Sequence, residues 1–421
     1  MTTAPKPAGA ETTRGLQVDR ALAALRSGES PITTIERIGL RAALGRVLAA
    51  DIVSPIDVPA HDNCAMDGYA FDGAALAGAP LRLPVVGVAF AGRPYEGRVA
   101  AGTCVQVMTG AVMPEGSDTV VPREACTVEA EFVTIPPVVR AGDNRRLRGE
   151  DLRAGATAVR AGRILRPAEL GLLASLGFGE VPVWRRLRVA FFSTGDELRS
   201  IGEPLREGEV YDSNRYTILG MLKRLGCEPI DMGVVRDDPA ALEAALRDAA
   251  EASDAIITSG GVSAGDADYV REVMGRIGAV EFWSIAMRPG RPMAYGRIDS
   301  GTGRGAVLFG LPGNPVAVMV TFYNFVRDAL LHLQRANPDP LPRFRLRCLD
   351  PIHKRPGRTE FLRGLIVVDD QGRQAVRAFG TQGSGVLRSM SEGDCFIVLR
   401  HDEGPVAAGG EVDVIPFAGL V

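Results

Sequence analysis

The sequence predicts a multidomain α/β protein. A central α/β domain with a mostly parallel sheet is flanked by an N-terminal helical module carrying a β-rich insertion and by a small all-β C-terminal domain. Three observations predict it. At 421 residues the chain exceeds one ordinary core, taking roughly 150 residues per domain. Between residues 187 and 336, buried-strand patterns alternate with helical ones, as parallel strands joined by crossover helices require. On both sides of that segment the alternation stops, and short apolar runs are broken by many of the 50 Gly and 28 Pro residues.

In chain order, residues 15–54 open the N-terminal module. Val18, Leu22 and Leu25 recur at helical spacing there, and Gly28 ends the pattern. Residues 55–149 read as a β-rich module, with runs at 83–90, 104–108 and 119–121. Residues 150–186 return to mixed character. Pro167 precedes a helix through Leu170, Leu173 and Leu176, and Gly177 closes it. A chain that leaves and re-enters similar texture predicts an insertion.

Residues 187–336 form the α/β domain. Strands are expected at 188–193, 229–235, 254–259 and 306–310, and helices at 214–225, 239–252, 269–277 and 315–333. Asp238 and Pro239 mark the start of the second helix as cap and first-turn residue. Residues 337–421 form a β-barrel-like domain, with runs at 361–368, 395–399 and 412–416.

The composition excludes several function classes. A net charge of −3, from 48 basic and 51 acidic residues, asks for neither nucleic acid nor membrane. Six widely spaced cysteines form no CxxC pair, which argues against zinc or a disulfide framework and for a cytoplasmic protein. The residues from Met1 to Gln17 lack the apolar core of a signal peptide. The most apolar stretch, 306–326, is interrupted by Pro312, Gly313, Asn314 and Pro315, so it reads as strand, loop and helix rather than a span. With four histidines in the chain, carboxylates, backbone amides or a metal must carry most catalysis.

Chemistry-bearing residues fall directly after the expected strands of the α/β domain. Thr194-Gly195-Asp196-Glu197 follows the first, and Arg236-Asp237-Asp238 the second. Ser259-Gly260-Gly261-Val262-Ser263-Ala264-Gly265-Asp266-Ala267-Asp268-Tyr269 follows the third, and Leu311-Pro312-Gly313-Asn314-Pro315 the last. Ligands of open α/β sheets bind at the carboxyl ends of the strands, so four such loops converge on one crevice. Gly-rich turns opening onto helices offer amide donors to a phosphate. Glu197, Asp237 and Asp268 would supply the hard oxygen ligands of a Mg²⁺ bridging to phosphate oxygens. Any one of these loops alone is a turn with a capping Asp; four in one domain are a site.

These loops, with Tyr211-Asp212-Ser213-Asn214, resemble the molybdopterin-binding domain of molybdenum cofactor biosynthesis proteins. Outside that domain, PAHDNCAMDGYA at 59–70 resembles the signature of molybdopterin molybdenumtransferases, the family of the gephyrin E domain. Met108-Thr109-Gly110, NRRLRGED at 144–151 and QGSGVLRS at 382–389 match as well, so the resemblance covers nearly the whole chain past residue 15.

The resemblance implies the activity. Such enzymes take adenylylated molybdopterin and molybdate, release AMP with divalent cation assistance, and leave the metal on the dithiolene sulfurs. It also implies a homodimer whose site joins the α/β domain of one subunit to the inserted module of the other, and transient contacts with molybdopterin adenylyltransferase and acceptor molybdoenzymes. Carried over by motif, Asp62, Asp67, Thr109, Asp151, Glu197, Asp237 and Asp268 are the catalytic set. Thr194, Gly195, Asp196, Ser259, Gly260, Gly261, Ser263, Gly265, Pro312, Gly313, Asn314 and Pro315 are the substrate-binding set.

Molybdate is a dianion and needs cationic partners, which Arg288 and Arg291 around Pro289-Gly290 and the Arg145, Arg146, Arg148 run supply. One departure from the family pattern stands out. Family members often carry a basic residue after the FW dipeptide and lysines around the following PG, whereas Phe282-Trp283 is followed here by Ser284 and the PG is flanked by arginines. Arginine keeps the charge and adds a bidentate fork, but Ser284 removes a charge. Two rival roles make distinct predictions. A molybdopterin adenylyltransferase is a compact single-domain protein without the flanking modules, and a scaffold would need none of the acidic residues.

Overall fold

A computed structural model describes residues 15–27, 30–78, 81–261 and 268–420. The chain divides into two compact units. One comprises Met1–Ala49, Gly162–Arg166 and Val181–Val421, the other Ala50–Ala161 and Pro167–Glu180.

The first unit contains the α/β sheet. Its strands are β1 (Arg188–Thr194), β2 (Glu228–Val235), β3 (Ala255–Ser259), β4 (Gly278–Ser284), β5 (Pro292–Asp299) and β6 (Gly305–Leu311), in the spatial order β2-β1-β3-β6-β5-β4. β2, β1, β3 and β6 run parallel, while β5 and β4 are antiparallel additions at one edge. The expected parallel strands are present within a residue of their expected ends. The antiparallel pair β4 and β5 was not expected.

The helices are α1 (Ser213–Arg224), α2 (Pro239–Ala252), α3 (Asp268–Ile277) and α4 (Pro315–Leu333). Strand side chains alternate between two faces, so each sheet face is apolar and each needs a helical layer. Val189, Phe191, Ile257 and Phe309 pack with Ile218 and Leu222 of α1 and with Val318 and Phe322 of α4. Their neighbours Ala190, Phe192, Ile256 and Leu308 pack on the other face with Leu242 and Leu246 of α2 and with Val273 and Met274 of α3. α2 begins where the sequence places it, because Asp238 Oδ1 accepts from the Ala241 N–H at 2.8 Å. α4 is long and apolar enough to cross a membrane, but 72% of its most apolar window is buried, which makes it a core helix.

Residues 344–416 close into a five-stranded barrel. Thr359–Val368, Gln374–Ala378, Phe344–Cys348, Glu411–Pro416 and Cys395–Leu399 pair in that order, and the last pairs back with the first. Val376, Ile397, Val412 and Val414 fill the inside.

The segments expected as a helical N-terminal module are only partly helical. Val18–Ser27 is a helix, and its Ala21 and Leu25 join the core that contains α1 and α4. Ile35–Gly39 instead pairs with Glu180–Trp184. The cause is composition: Ile35 and the Val181, Val183, Trp184 run favour strand over helix.

In the second unit, Ile52–Val53 pairs with Thr157–Val159. Pro167–Ser175 is the expected helix, ended by Gly177 at φ +83° with its N–H on the Ala174 carbonyl. The β-rich module is a six-stranded sheet whose alternating residues again divide between two clusters, Ala70 and Val120 in one, Tyr69 and Val121 in the other.

Candidate functional site

The strand order reverses between β1 and β3, since the chain moves outward to β2 and then returns to the other side of β1. Such a switch point opens a crevice at the carboxyl ends of the two strands. Thr194 ends β1 and is buried, Ser259 ends β3 and is buried, and the loops beyond them touch. Gly260 sits at φ +95°, and a Cβ there would lie 2.5 Å from the Thr194 carbonyl oxygen. That approach is open to glycine alone. Gly260→Ala should therefore cost about 3 kcal/mol in denaturant unfolding and abolish ligand binding at the crevice; a shift below about 1 kcal/mol contradicts this reading of the contact.

The Tyr211–Asn214 segment organises the crevice. Asp212 Oδ1 caps α1 by accepting from the Arg215 N–H at 3.1 Å and takes the Ser193 hydroxyl at 3.0 Å. Asn214 donates through Nδ2 to Ser259 Oγ and to the Gly313 carbonyl, both at 2.7 Å. The β3 and β6 loops are thus tied to one amide, and the Gly260 N–H adds a bond to the Leu311 carbonyl. Among the described residues, Thr194 Oγ1, Asp212 Oδ2 and Asn214 Oδ1 are buried without a partner. Each such oxygen costs about 1–3 kcal/mol, which marks a place that another group completes.

At the rim, the Asp237 N–H reaches Asp196 Oδ1 at 3.4 Å, bringing the β1 and β2 loops together. Asp196, Glu197 and Asp237 are exposed, and Asp238 is engaged by its cap. Beside them a cavity of about 830 Å³ is lined by Gly195, Asp196, Arg199, Arg215 and Arg236. Ser263 and Gly265 lie outside the described residues, as does the side chain of Asp268, the first residue of α3. Among the described residues no group of three or more His, Cys, Asp or Glu forms a metal cluster. Glu197 and Asp237, exposed carboxylates in the loops beyond neighbouring strands, are the described residues that could hold a Mg²⁺ keeping several waters.

A second cavity, about 550 Å³, is lined in part by Pro312, Gly313 and Asn314 of the Leu311–Pro315 loop. Arg288, Arg291, Arg358, Asn314, Gln382 and Ser384 line it, and its described lining contains no carboxylate. α4 opens here, with its Val316 N–H bonded to the Ser384 carbonyl at 3.0 Å, so the barrel loop is attached to the helix terminus. Ser284, the departure noted in the sequence, accepts from Arg291 Nε at 2.9 Å. In place of a charge it steadies one. Arg358 is held from behind by buried Glu360, whose carboxylate accepts from Arg358 Nε at 2.7 Å. Arg358, Gln382 and Ser384 had no individual role in the sequence reading. The QGS motif pointed at two of them, while only the barrel's closure brings Arg358 here.

In the second unit the expected residues form two small clusters. Asp67 Oδ1 accepts from both the N–H and the hydroxyl of Thr109, each at 2.7 Å. Asp62 accepts from Arg145 Nε at 2.9 Å and from the Arg148 N–H at 2.7 Å. Arg148 Nε in turn donates to Asp57 at 2.6 Å, a residue absent from the sequence reading. Arg146 and Asp151 are exposed.

The Arg148 N–H bond, then the Arg145 guanidinium, hold the Asp62 carboxyl below its ordinary range. A depressed carboxylate contributes stability above its unfolded value, near about pH 4, and loses it as pH falls through the lower folded value. The stability gap between wild type and Asp62→Asn should then be full at pH 6 and close progressively below about pH 4. A gap that is constant from pH 7 to pH 2.5 in parallel denaturation curves rejects this.

Residues 16–177 match the family described as "MoeA N-terminal region (domain I and II)", residues 190–332 the "Probable molybdopterin binding domain", and residues 345–417 the "MoeA C-terminal region (domain IV)". The chain is 40% identical over 391 residues to the molybdopterin molybdenumtransferase of Haemophilus influenzae, covering 92% of this chain and 95% of that protein. It is 36% identical over 386 residues to the molybdopterin molybdenumtransferase of a Nostoc species, covering 90% and 88%. The crystal structure of the molybdopterin biosynthesis moeA protein of Pyrococcus horikoshii superposes with a TM-score of 0.81 at 28% identity, covering 96% of this chain and all of that one.

Proposed function

Because the chain belongs to the molybdopterin molybdenumtransferase family and so acts as a transferase in molybdenum cofactor biosynthesis, we propose that it inserts molybdate into adenylylated molybdopterin, with Mg²⁺-dependent release of AMP. One observation carries this reading: an arginine cavity whose described lining holds no carboxylate shares the Pro312–Gly313 backbone with a crevice of buried polar oxygens and exposed carboxylates. The oxyanion and the ligand's phosphates are both anionic: arginines would meet the first directly, and N–H donors together with a metal on the carboxylates would meet the second. The two surroundings are adjacent here and separated by one loop.

The residues divide accordingly. Thr194, Asp212, Asn214 and Ser259 line the crevice and orient the pterin portion through hydrogen bonds. Arg288, Arg291 and Arg358 bind the molybdate dianion, with Ser384 beside them, and arginine forks suit its oxygens. Glu197 and Asp237, with Asp268, would hold Mg²⁺, which neutralises the phosphate oxygens when bound. Asp62, Asp67, Thr109 and Asp151 act in the homodimer as the inserted module's contribution to a partner's site. Six free thiols suit a reducing cytoplasm.

Equilibrium titration tests the reading. Molybdate and adenylylated molybdopterin should each bind alone and bind together without competition. Mutual exclusion of the two ligands defeats it. Pyrophosphate release from ATP and molybdopterin, with no AMP release from the adenylylated compound, would point instead to the adenylyltransferase reaction.

A further inference from the structure

Among the described residues Arg363 is the largest fully buried side chain, at 0% exposure, and no carboxylate is bonded to it. A guanidinium taken out of water without a counter-charge is costly, so such a residue is usually paired. Here its bonds go to neutral oxygens. Nε donates to Ser389 Oγ at 2.9 Å, and Nη2 donates to the carbonyls of Gly383 at 3.0 Å and Thr381 at 3.5 Å. Among the described residues Nη1 has no partner.

The main chain at the same position grips the same loop. The Arg363 N–H donates to Gln382 Oε1, and Gln382 Nε2 donates back to the Arg363 carbonyl, both at 2.9 Å. Gln382, Gly383 and Ser384 line the arginine cavity, and Ser384 is bonded to the start of α4. Arg363 does not line it. Burial, and then the nearby Arg288 guanidinium, push the Arg363 pKa down to about 10, the mark of a cation lacking compensation.

We propose that Arg363 is the positioning residue of this cavity: its guanidinium sets the Thr381–Ser384 loop, and the bound oxyanion supplies the countercharge that the buried cation lacks. The inference rests on the reading of the cavity as the molybdate site. It explains why a buried position on the outer face of a barrel strand tolerates a cation where an apolar side chain of the same size would cost less. Oxyanion binding and loop order are then coupled, each favouring the other.

Calorimetric titration with molybdate alone, on the full chain, tests this together with steady-state kinetics. Arg363→Met, which keeps the volume and removes fork and charge, should weaken molybdate binding about tenfold or more. The KM for molybdate should rise alike, with kcat and the KM for adenylylated molybdopterin within about twofold of wild type. Arg363→Lys, which restores the charge, should recover part of the loss. A folded Arg363→Met that binds molybdate as wild type does overturns the role, and so does equal loss in the Lys and Met variants. If Arg363→Met does not fold, Ser389→Ala removes one guanidinium partner away from the cavity and should raise the KM for molybdate about threefold; an unchanged KM overturns the role there. Arg291→Ala separates the two levels. If it leaves molybdate binding intact, the cavity is not the oxyanion site and both readings fall. If it weakens binding while Arg363→Met does not, only the Arg363 role falls.

Discussion

The double variant Arg288→Ala/Arg291→Ala should use molybdate about a thousandfold less efficiently than wild type. Each arginine offers the dianion a charge-assisted hydrogen bond worth about 2 kcal/mol, so removing both corresponds to about three orders of magnitude in kcat/KM. Both side chains are exposed, and Arg291 holds only the Ser284 hydroxyl among the bonds seen, so stability should change by less than about 1 kcal/mol. Arg358 is the poorer choice for this experiment. Its removal leaves Glu360 buried and unpaired, which destabilises the barrel and confuses the result. Kinetics with molybdate as the varied substrate, and thermal melting alongside, decide the matter. A fall of less than tenfold with an intact fold removes the oxyanion from this cavity.

The second large effect is expected from Glu197→Gln/Asp237→Asn. Both substitutions keep shape and remove charge from exposed positions at the ends of β1 and β2. Losing two hard oxygen ligands should cost Mg²⁺ most of its affinity, and AMP release at a fixed, near-saturating Mg²⁺ concentration should fall about a hundredfold or more. Raising Mg²⁺ should recover part of the rate, which separates lost metal affinity from a broken site. Binding of adenylylated molybdopterin in the absence of metal should persist, since the buried crevice built on Asp212 and Asn214 is untouched. A Mg²⁺ titration superimposable on that of wild type assigns the metal elsewhere.

Much of the fold was legible because local signals agreed. α2 begins and ends as expected, since Asp238, Pro239 and an Ala-rich run all favour the same boundaries. β1 and β6 were legible as continuous apolar runs, the pattern of strands covered on both faces. The antiparallel pair β4 and β5 escaped notice although Val280 and Phe282 alternate around Glu281 at period two. The Phe282–Arg291 segment drew attention as a motif, and its strand character went unread.

The site divides in the same way. Where the loops after the parallel strands are described, they meet: Gly260 lies against Thr194, the Asp237 N–H reaches Asp196, and Asn214 joins Ser259 to Gly313, while residues 262–267 lie outside the described residues. Arg358, Glu360 and Arg363 were invisible in sequence, because no local pattern tells a barrel strand which cavity its arginines will serve. Asp62 illustrates a subtler limit. Its motif marked it as important, but only the structure showed its carboxylate already engaged by Arg145 and Arg148.

The most direct measurement combines purified protein, adenylylated molybdopterin, Mg²⁺ and molybdate. AMP release is followed chromatographically, and the product is offered to a cofactor-free molybdoenzyme. The expected result is AMP release that requires both Mg²⁺ and molybdate, with activation of the acceptor enzyme in proportion to the AMP formed. AMP release that proceeds equally without molybdate, or none at all from folded protein with both ligands bound, would contradict it.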